Sequence, residues 1–220
     1  GAGTARPSRK WPVILNTSTI RPTPLREKIR IAAAVGFDGL ELWINELEDY
    51  RKEGGDLASL DREIRDRGLF VHNIIGLWGG MPEGEAAFRK SLDASRRRME
   101  AAAAVGSPYI AAVPHPDRPD FPLAWAVHCY RELLRIGREE FGVIPAFEFV
   151  GFFKGIHTLG EAAAVAIDCD DPDACLVADS FHIYRGGHDL RGVRMLDGEA
   201  IANVHINDIP AGLKPEAATD

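Results

Sequence analysis

Short apolar runs at nearly constant intervals constrain this chain more than any other feature of its sequence. They cover residues 13–16, 39–43, 70–75, 109–113, 144–150, 174–178 and 202–206. Measured from Val13, Leu40, Val71, Ile110, Ile144, Leu176 and Val204, the intervals are 27, 31, 39, 34, 32 and 28 residues, each enough for one strand, one helix and two loops. The runs are almost continuously apolar rather than alternating, which is how parallel strands read when both faces are covered. Glycines punctuate the units at Gly36, Gly68, Gly106 and Gly142. Each reads as the close of a helix, because the residue after a helix commonly takes a left-handed conformation that glycine adopts without penalty.

Helix starts carry their own signals. Thr23-Pro24 puts a hydroxyl before a proline suited to a first turn, and Thr158-x-x-Glu161 has the spacing of a capping box. Between residues 122 and 141, Trp125, Cys129, Leu133 and Ile136 fall on one helical face that should pack inward. Alternating β and α units suit an open doubly wound sheet or a closed (β/α)8 barrel. No Gly-x-Gly-x-x-Gly follows the first run and no Gly-x-x-x-x-Gly-Lys occurs, so the open nucleotide-binding sheets lose their main support. The near-uniform repeat favours an α/β fold of the (β/α)8 TIM barrel type. Seven strands are countable, so the expectation is one barrel domain over residues 1–220, truncated after the seventh strand, with the last helix and strand missing.

Composition narrows the function classes. The chain has 220 residues and a formal net charge of −7, which disfavours nucleic acid as a partner, since that affinity comes largely from Lys and Arg on phosphates. Its one basic run, Arg96-Arg97-Arg98, lies in a helical pattern and reads as a solvated face. No apolar run reaches the ~18 residues of a membrane span, and residues 1–10 are basic without an apolar segment behind them. Cys129, Cys169 and Cys175 are odd in number and far apart, so a disulfide framework is not expected and a reducing, cytoplasmic setting is.

In a barrel, chemistry sits at the C-terminal ends of the strands. Four strand ends carry ligand-type residues: Glu41 in Leu40-Glu41-Leu42-Trp43, Glu148 in Ala146-Phe147-Glu148-Phe149, Asp179 after Leu176-Val177-Ala178, and His205 in Val204-His205-Ile206. Carboxylates among Phe, Val and Leu are costly to bury unless paired or bound to a cation, and a mixed carboxylate and imidazole set suits Mn²⁺, Co²⁺, Zn²⁺ or Mg²⁺.

Gly36-Phe37-Asp38-Gly39-Leu40-Glu41-Leu42, Phe147-Glu148-Phe149, Asp179-Ser180-Phe181-His182 and Val204-His205-Ile206-Asn207-Asp208 together resemble the xylose isomerase-like barrel superfamily. That group includes sugar isomerases and epimerases, inosose dehydratases and endonuclease IV-type nucleases. The resemblance covers nearly the whole chain. It implies that Glu148, Asp179 and His205 bind a divalent metal ion, that Glu148 also moves a proton, and that His182 contacts substrate oxygens. The family's fourth ligand, usually a Glu on the eighth strand, is expected beyond Asp220. The implied reaction is isomerisation or epimerisation of a sugar or cyclitol by proton transfer beside a metal-chelated carbonyl. Inosose dehydration is the near neighbour, and a non-catalytic sugar-binding barrel lacking the fourth ligand is the rival reading.

Further substrate contacts are expected from Glu41, from His72 early in the third strand, from Trp78 and His115 just past the third and fourth, and from Arg185 after the Asp-x-x-His segment. His72 reads equally well as a core histidine, and Trp43 joins Trp78 as an aromatic wall. The acidic balance sets the nuclease branch aside, and an unpaired edge at the seventh strand invites a second copy of the chain.

Overall fold

The computed structural model describes residues 11–115 and 117–219; residues 1–10, Pro116 and Asp220, with the basic N-terminal run and the chain end read above, lie outside them. Seven strands form one parallel sheet in sequence order: β1 (Ile14–Asn16), β2 (Gly39–Trp43), β3 (Phe70–Leu77), β4 (Tyr109–Ala112), β5 (Ile144–Glu148), β6 (Cys175–Asp179) and β7 (Ile201–His205). Each lies within two residues of an apolar run anticipated from the sequence. The helices are α1 (Leu25–Val35), α2 (Ile44–Lys52), α3 (Leu57–Asp66), α4 (Glu85–Ala104), α5 (Leu123–Ile136), α6 (Leu159–Asp168) and α7 (Ser180–Arg185). None of those described is long and apolar enough to cross a membrane.

Local chemistry explains where the helices break. The β2–β3 interval holds two helices instead of one, because Gly54 turns the chain at φ 88° and Asp56 then caps α3 by accepting from the Ser59 N–H. At α1 the expected Thr23 cap is not made. Pro24 itself occupies the capping position, with no side-chain cap, so the hydroxyl comes one residue too early. The Thr158 and Glu161 box is formed at α6 as the spacing predicts. On α5, Cys129, Leu133 and Ile136 are fully buried, and Trp125 packs against the same core.

The sheet curls. Laid flat, β2 and β7 would stand five strand spacings apart, about 24 Å. Instead, Glu41 Oε1 on β2 lies 2.7 Å from Asn203 Nδ2 and 2.8 Å from His205 Nε2 on β7. Three register shifts accompany the curl and leave His72, Gly76 and Ala202 without a partner residue in the ladder. A bulged residue's carbonyl must find another donor. Arg98 Nη1 donates to Gly76 O at 3.1 Å and to Trp78 O at 2.9 Å, so this arginine turns inward to brace β3 rather than joining a solvated face. His72 Nε2 bonds Ala202 O at 2.9 Å, tying two bulges to each other across the interior.

The cysteines are free and buried, and burial pushes the Cys129 and Cys175 thiols up to about 12 and that of Cys169 to about 11. Between the helices and the β5–β6 pair, Tyr130 is completely buried. Its Oη lies 2.9 Å from both Pro145 O and Cys175 O and accepts from the Cys175 N–H at 3.1 Å. Tyr130→Phe strands that N–H in a dry site, so it should destabilise the fold by about 1–3 kcal/mol. The measurement is a urea titration, in which the midpoint falls at unchanged slope.

Candidate metal centre

Parallel pairing brings polar side chains onto shared levels inside the curl. Asn16, Glu41 and Asn73 are register partners across β1, β2 and β3, and Asp179 pairs with His205 across β6 and β7. Residues in register on parallel strands point the same way, and here each pair is hydrogen bonded. Asn16 Nδ2 donates to Glu41 Oε2 at 2.6 Å and Asn73 Nδ2 to Glu41 Oε1 at 2.7 Å. His205 Nδ1 lies 3.0 Å from Asp179 Oδ2 and 3.4 Å from Glu148 Oε1. Glu148, Asp179 and His205 are thus the last residues of three consecutive strands and meet at one end of the barrel.

His182 joins them through helix capping. Asp179 Oδ1 accepts the His182 N–H at 3.0 Å, which starts α7 directly at the end of β6 and swings the imidazole back over the strand end. Glu148, Asp179 and His182 each present a ligand-type atom, all within 4.8 Å of one another, and all three residues are buried. His182 Nδ1 has no hydrogen-bond partner. A buried imidazole with an unpaired nitrogen, grouped with two buried carboxylates, is a donor set that fits a divalent cation. The sequence reading paired His205 with the metal and His182 with substrate; the structure brings both imidazoles to the same two carboxylates.

Electrostatics centre on His205. Burial disfavours its charged form, yet Glu41, Asp179 and Glu148 outweigh burial and hold the imidazole well above its ordinary range. Burial likewise pushes the Glu41 carboxyl up, but His205, Asn73 and Asn16 more than reverse this, and it ionises below the usual range. The Asp179 carboxyl is also held low, against its burial, by His205 and His182. Glu41 and Asp179 therefore share one imidazolium as their counter-charge, and Glu148 lies 3.4 Å from the same ring.

Of the remaining sequence candidates, Trp78 and His115 stand in an arc of rings around the mouth. Trp43 stacks on Trp78 at 5.9 Å between centroids, Trp78 meets His115 at 6.2 Å, and His115 meets Phe153 at 4.9 Å. Phe153 contacts Phe152, which contacts His182, each at 5.7 Å. Burial lowers the His115 pKa, with Asp117 opposing, so the neutral ring is favoured. His72 is not among the grouped carboxylates and imidazole, and spans instead to Ala202. Arg185 Nε donates to Ala218 O at 3.1 Å and pins the C-terminal segment onto α7. Four residues that the sequence reading gave no role lie in the site: Asn16, Asn73 and Asn203 around Glu41, and Asn207, whose Nδ2 lies 3.3 Å from both Asp179 oxygens. Their signal was an amide within or beside apolar strands, where an unpaired polar group is costly.

Comparison with known proteins gives the same architecture. A curated inosose isomerase of Bacillus velezensis is 24% identical over 199 residues, 87% of this chain and 70% of the relative. Another, from Bacillus licheniformis, is 30% identical over 130 residues, covering 56% of this chain and 46% of that protein, so the match spans less than half of its length. Among solved structures, the IOLI protein with a bound zinc atom superposes with a TM-score of 0.81 at 23% identity, over 92% of this chain and 76% of that one. The xylose isomerase-like TIM barrel family pattern matches residues 29–217. With so much of its length matched and its strands curled in sequence order, the chain belongs to the xylose isomerase-like TIM barrel family.

Proposed function

We propose that this chain is a divalent-metal-dependent isomerase or epimerase of a sugar or cyclitol, moving a proton at the carbon beside a carbonyl. The observation that carries the reading is the convergence of Glu148, Asp179 and His182 on one point, with His205 against both carboxylates. The relatives named as inosose isomerases and the zinc in the IOLI protein support it.

Glu148, Asp179 and His182 would hold the ion, with His205 as a further donor once its proton has left. When bound, the ion would act as a Lewis acid that polarises the substrate carbonyl and makes the neighbouring C–H more acidic. Glu148 is the residue assigned to take that proton and return it, because its buried carboxylate ends β5 at the mouth, beside Asp179 and His182. His182 is assigned to the ion rather than to substrate oxygens on account of its unpaired Nδ1. The arc from Trp43 to Phe152 offers an apolar wall for the C–H face of a sugar or cyclitol ring, with Trp78 and His115 at its centre.

Two outcomes test this. Zinc- or manganese-loaded protein incubated in D2O with inosose or a ketose should catalyse deuterium uptake at the carbon next to the carbonyl, read by proton NMR. Glu148→Gln should slow that exchange by about 10²–10⁴-fold. Loaded protein that exchanges no proton in any of these substrates overturns the reading.

The second concerns pH. The His205 imidazole is held protonated well above its ordinary range, and the ion must displace that proton before His205 can serve as a donor. Apparent affinity for zinc should therefore rise with pH, by up to about tenfold per pH unit while His205 is still protonated in the metal-free protein, and level off above its pKa. Competition titrations with a chromogenic chelator between pH 6 and 9 measure the slope.

A further inference from the structure

Glu41 is the most heavily engaged side chain of the site and the one that the proposed chemistry leaves idle. It is 2% exposed and accepts from three strands other than its own. Oε2 takes Asn16 Nδ2 of β1 at 2.6 Å. Oε1 takes Asn73 Nδ2 of β3 at 2.7 Å, Asn203 Nδ2 of β7 at 2.7 Å and His205 Nε2 at 2.8 Å. Three donors crowd Oε1 and Asn16 holds Oε2. Buried at this depth and tied to three strands, Glu41 is poorly placed to hold a substrate hydroxyl.

We propose that Glu41 is a positioning residue: clamped by Asn16, Asn73 and Asn203, it fixes the hydrogen of His205 on Nε2, so that Nδ1 is the nitrogen offered to the ion. This rests on the metal-dependent reading above. A neutral imidazole has one N–H and one lone pair, and a carboxylate that can only accept selects the tautomer with hydrogen on the nitrogen facing it. Carboxylates face both nitrogens, but with the ion bound Asp179 and Glu148 turn their oxygens to it, and Glu41 alone remains to accept a hydrogen, on Nε2. Asn203 Nδ2, 3.1 Å from Nε2, has Glu41 Oε1 as its own acceptor. The lone pair then falls on Nδ1, the nitrogen that lies 3.0 Å from Asp179 and 3.4 Å from Glu148. Glu41 thus sits on the opposite edge of the ring from the two carboxylates proposed as ligands, where it can aim and polarise the imidazole without competing for the ion. Metal-bound histidines commonly hand their second N–H to a carboxylate in this way.

The asparagines give the clamp its direction. A free glutamate could rotate to follow the imidazole or the ion. Glu41 cannot do so without stranding an amide of Asn16, Asn73 or Asn203 inside the barrel, where an unpaired donor is costly.

The test uses ¹⁵N-labelled full-length protein and zinc alone, without substrate. Long-range ¹H–¹⁵N spectra of the zinc-loaded wild type should show His205 with hydrogen on Nε2 and metal on Nδ1, the signal being assigned by its loss in His205→Asn. Glu41→Gln can turn its own N–H2 toward Nε2 and favour the reverse tautomer. It should weaken zinc binding by about 10–100-fold while circular dichroism stays unchanged. Zinc bound through Nε2 in the wild type, or a folded Glu41→Gln protein that keeps wild-type zinc affinity, overturns the assignment of Glu41 alone. Wild-type protein that binds neither zinc nor manganese overturns this inference together with the metal-dependent reading. Should Glu41→Gln fail to fold, the wild-type tautomer decides by itself.

Discussion

Three carboxylates buried around one imidazole, each within 3.4 Å of it, are the constraint on which the rest of this structure depends. Glu41, Glu148 and Asp179 are each 5% exposed or less, and the apolar residues around them offer no solvation. Like charges buried around one ring ionise together only if positive charge or hydrogen-bond donors are supplied. The barrel supplies both. Asparagines from β1, β3 and β7 surround Glu41, a helix N-terminus meets Asp179, and the His205 imidazole touches all three carboxylates. The same arrangement that makes the metal-free site tolerable makes it a cation site, because a divalent ion and an imidazolium answer the same deficit of charge.

The deformations of the sheet are part of that supply. In an unbroken ladder, adding one residue on β3 or β7 would exchange inward for outward side chains. The bulge at His72 lets Asn73, not its neighbour, stand opposite Glu41, and the bulge at Ala202 does the same for Asn203 opposite Val177. Each insertion exposes a backbone carbonyl, and the inserted His72 bonds the one exposed at Ala202. Arg98 serves the third, at Gly76, where a Cβ would come 3.1 Å from the side chains of Ile44 and Ile110. Long polar side chains here restore hydrogen bonds that the curl removed, which is why Arg98 and His72 are spoken for before any substrate arrives.

The strands, their order and the end of the barrel that carries chemistry were legible because each rests on a local signal: apolar runs, glycine stops and acidic strand ends. Glu148, Asp179 and His205 stood out as charged residues in apolar surroundings. The asparagine clamp did not, since an amide in a strand carries no charge and its partner lies up to 162 residues away. Registers shifted by bulges are equally hidden, because one inserted residue leaves the apolar run looking continuous. His182 was visible as part of Asp-x-x-His, but its position depends on Asp179 capping α7, a geometric consequence that spacing alone does not separate from a loop. Arg185 looked free in the sequence only because the carbonyl that it holds, at Ala218, is 33 residues further on.

Together these features divide the interior into two levels with different freedom. The lower level is closed around Glu41: Asn16, Asn73 and Asn203 all donate to its carboxylate, and a change of conformation would break several bonds at once. The upper level, Glu148, Asp179 and His182, keeps a buried ring nitrogen without a partner. His205 belongs to both, with Nε2 on the lower level and Nδ1 on the upper one. Rigidity is therefore passed to the reactive level through a single ring. A side chain that never meets a substrate can still set the ligand geometry, because the imidazole has only one orientation in which both of its nitrogens are satisfied.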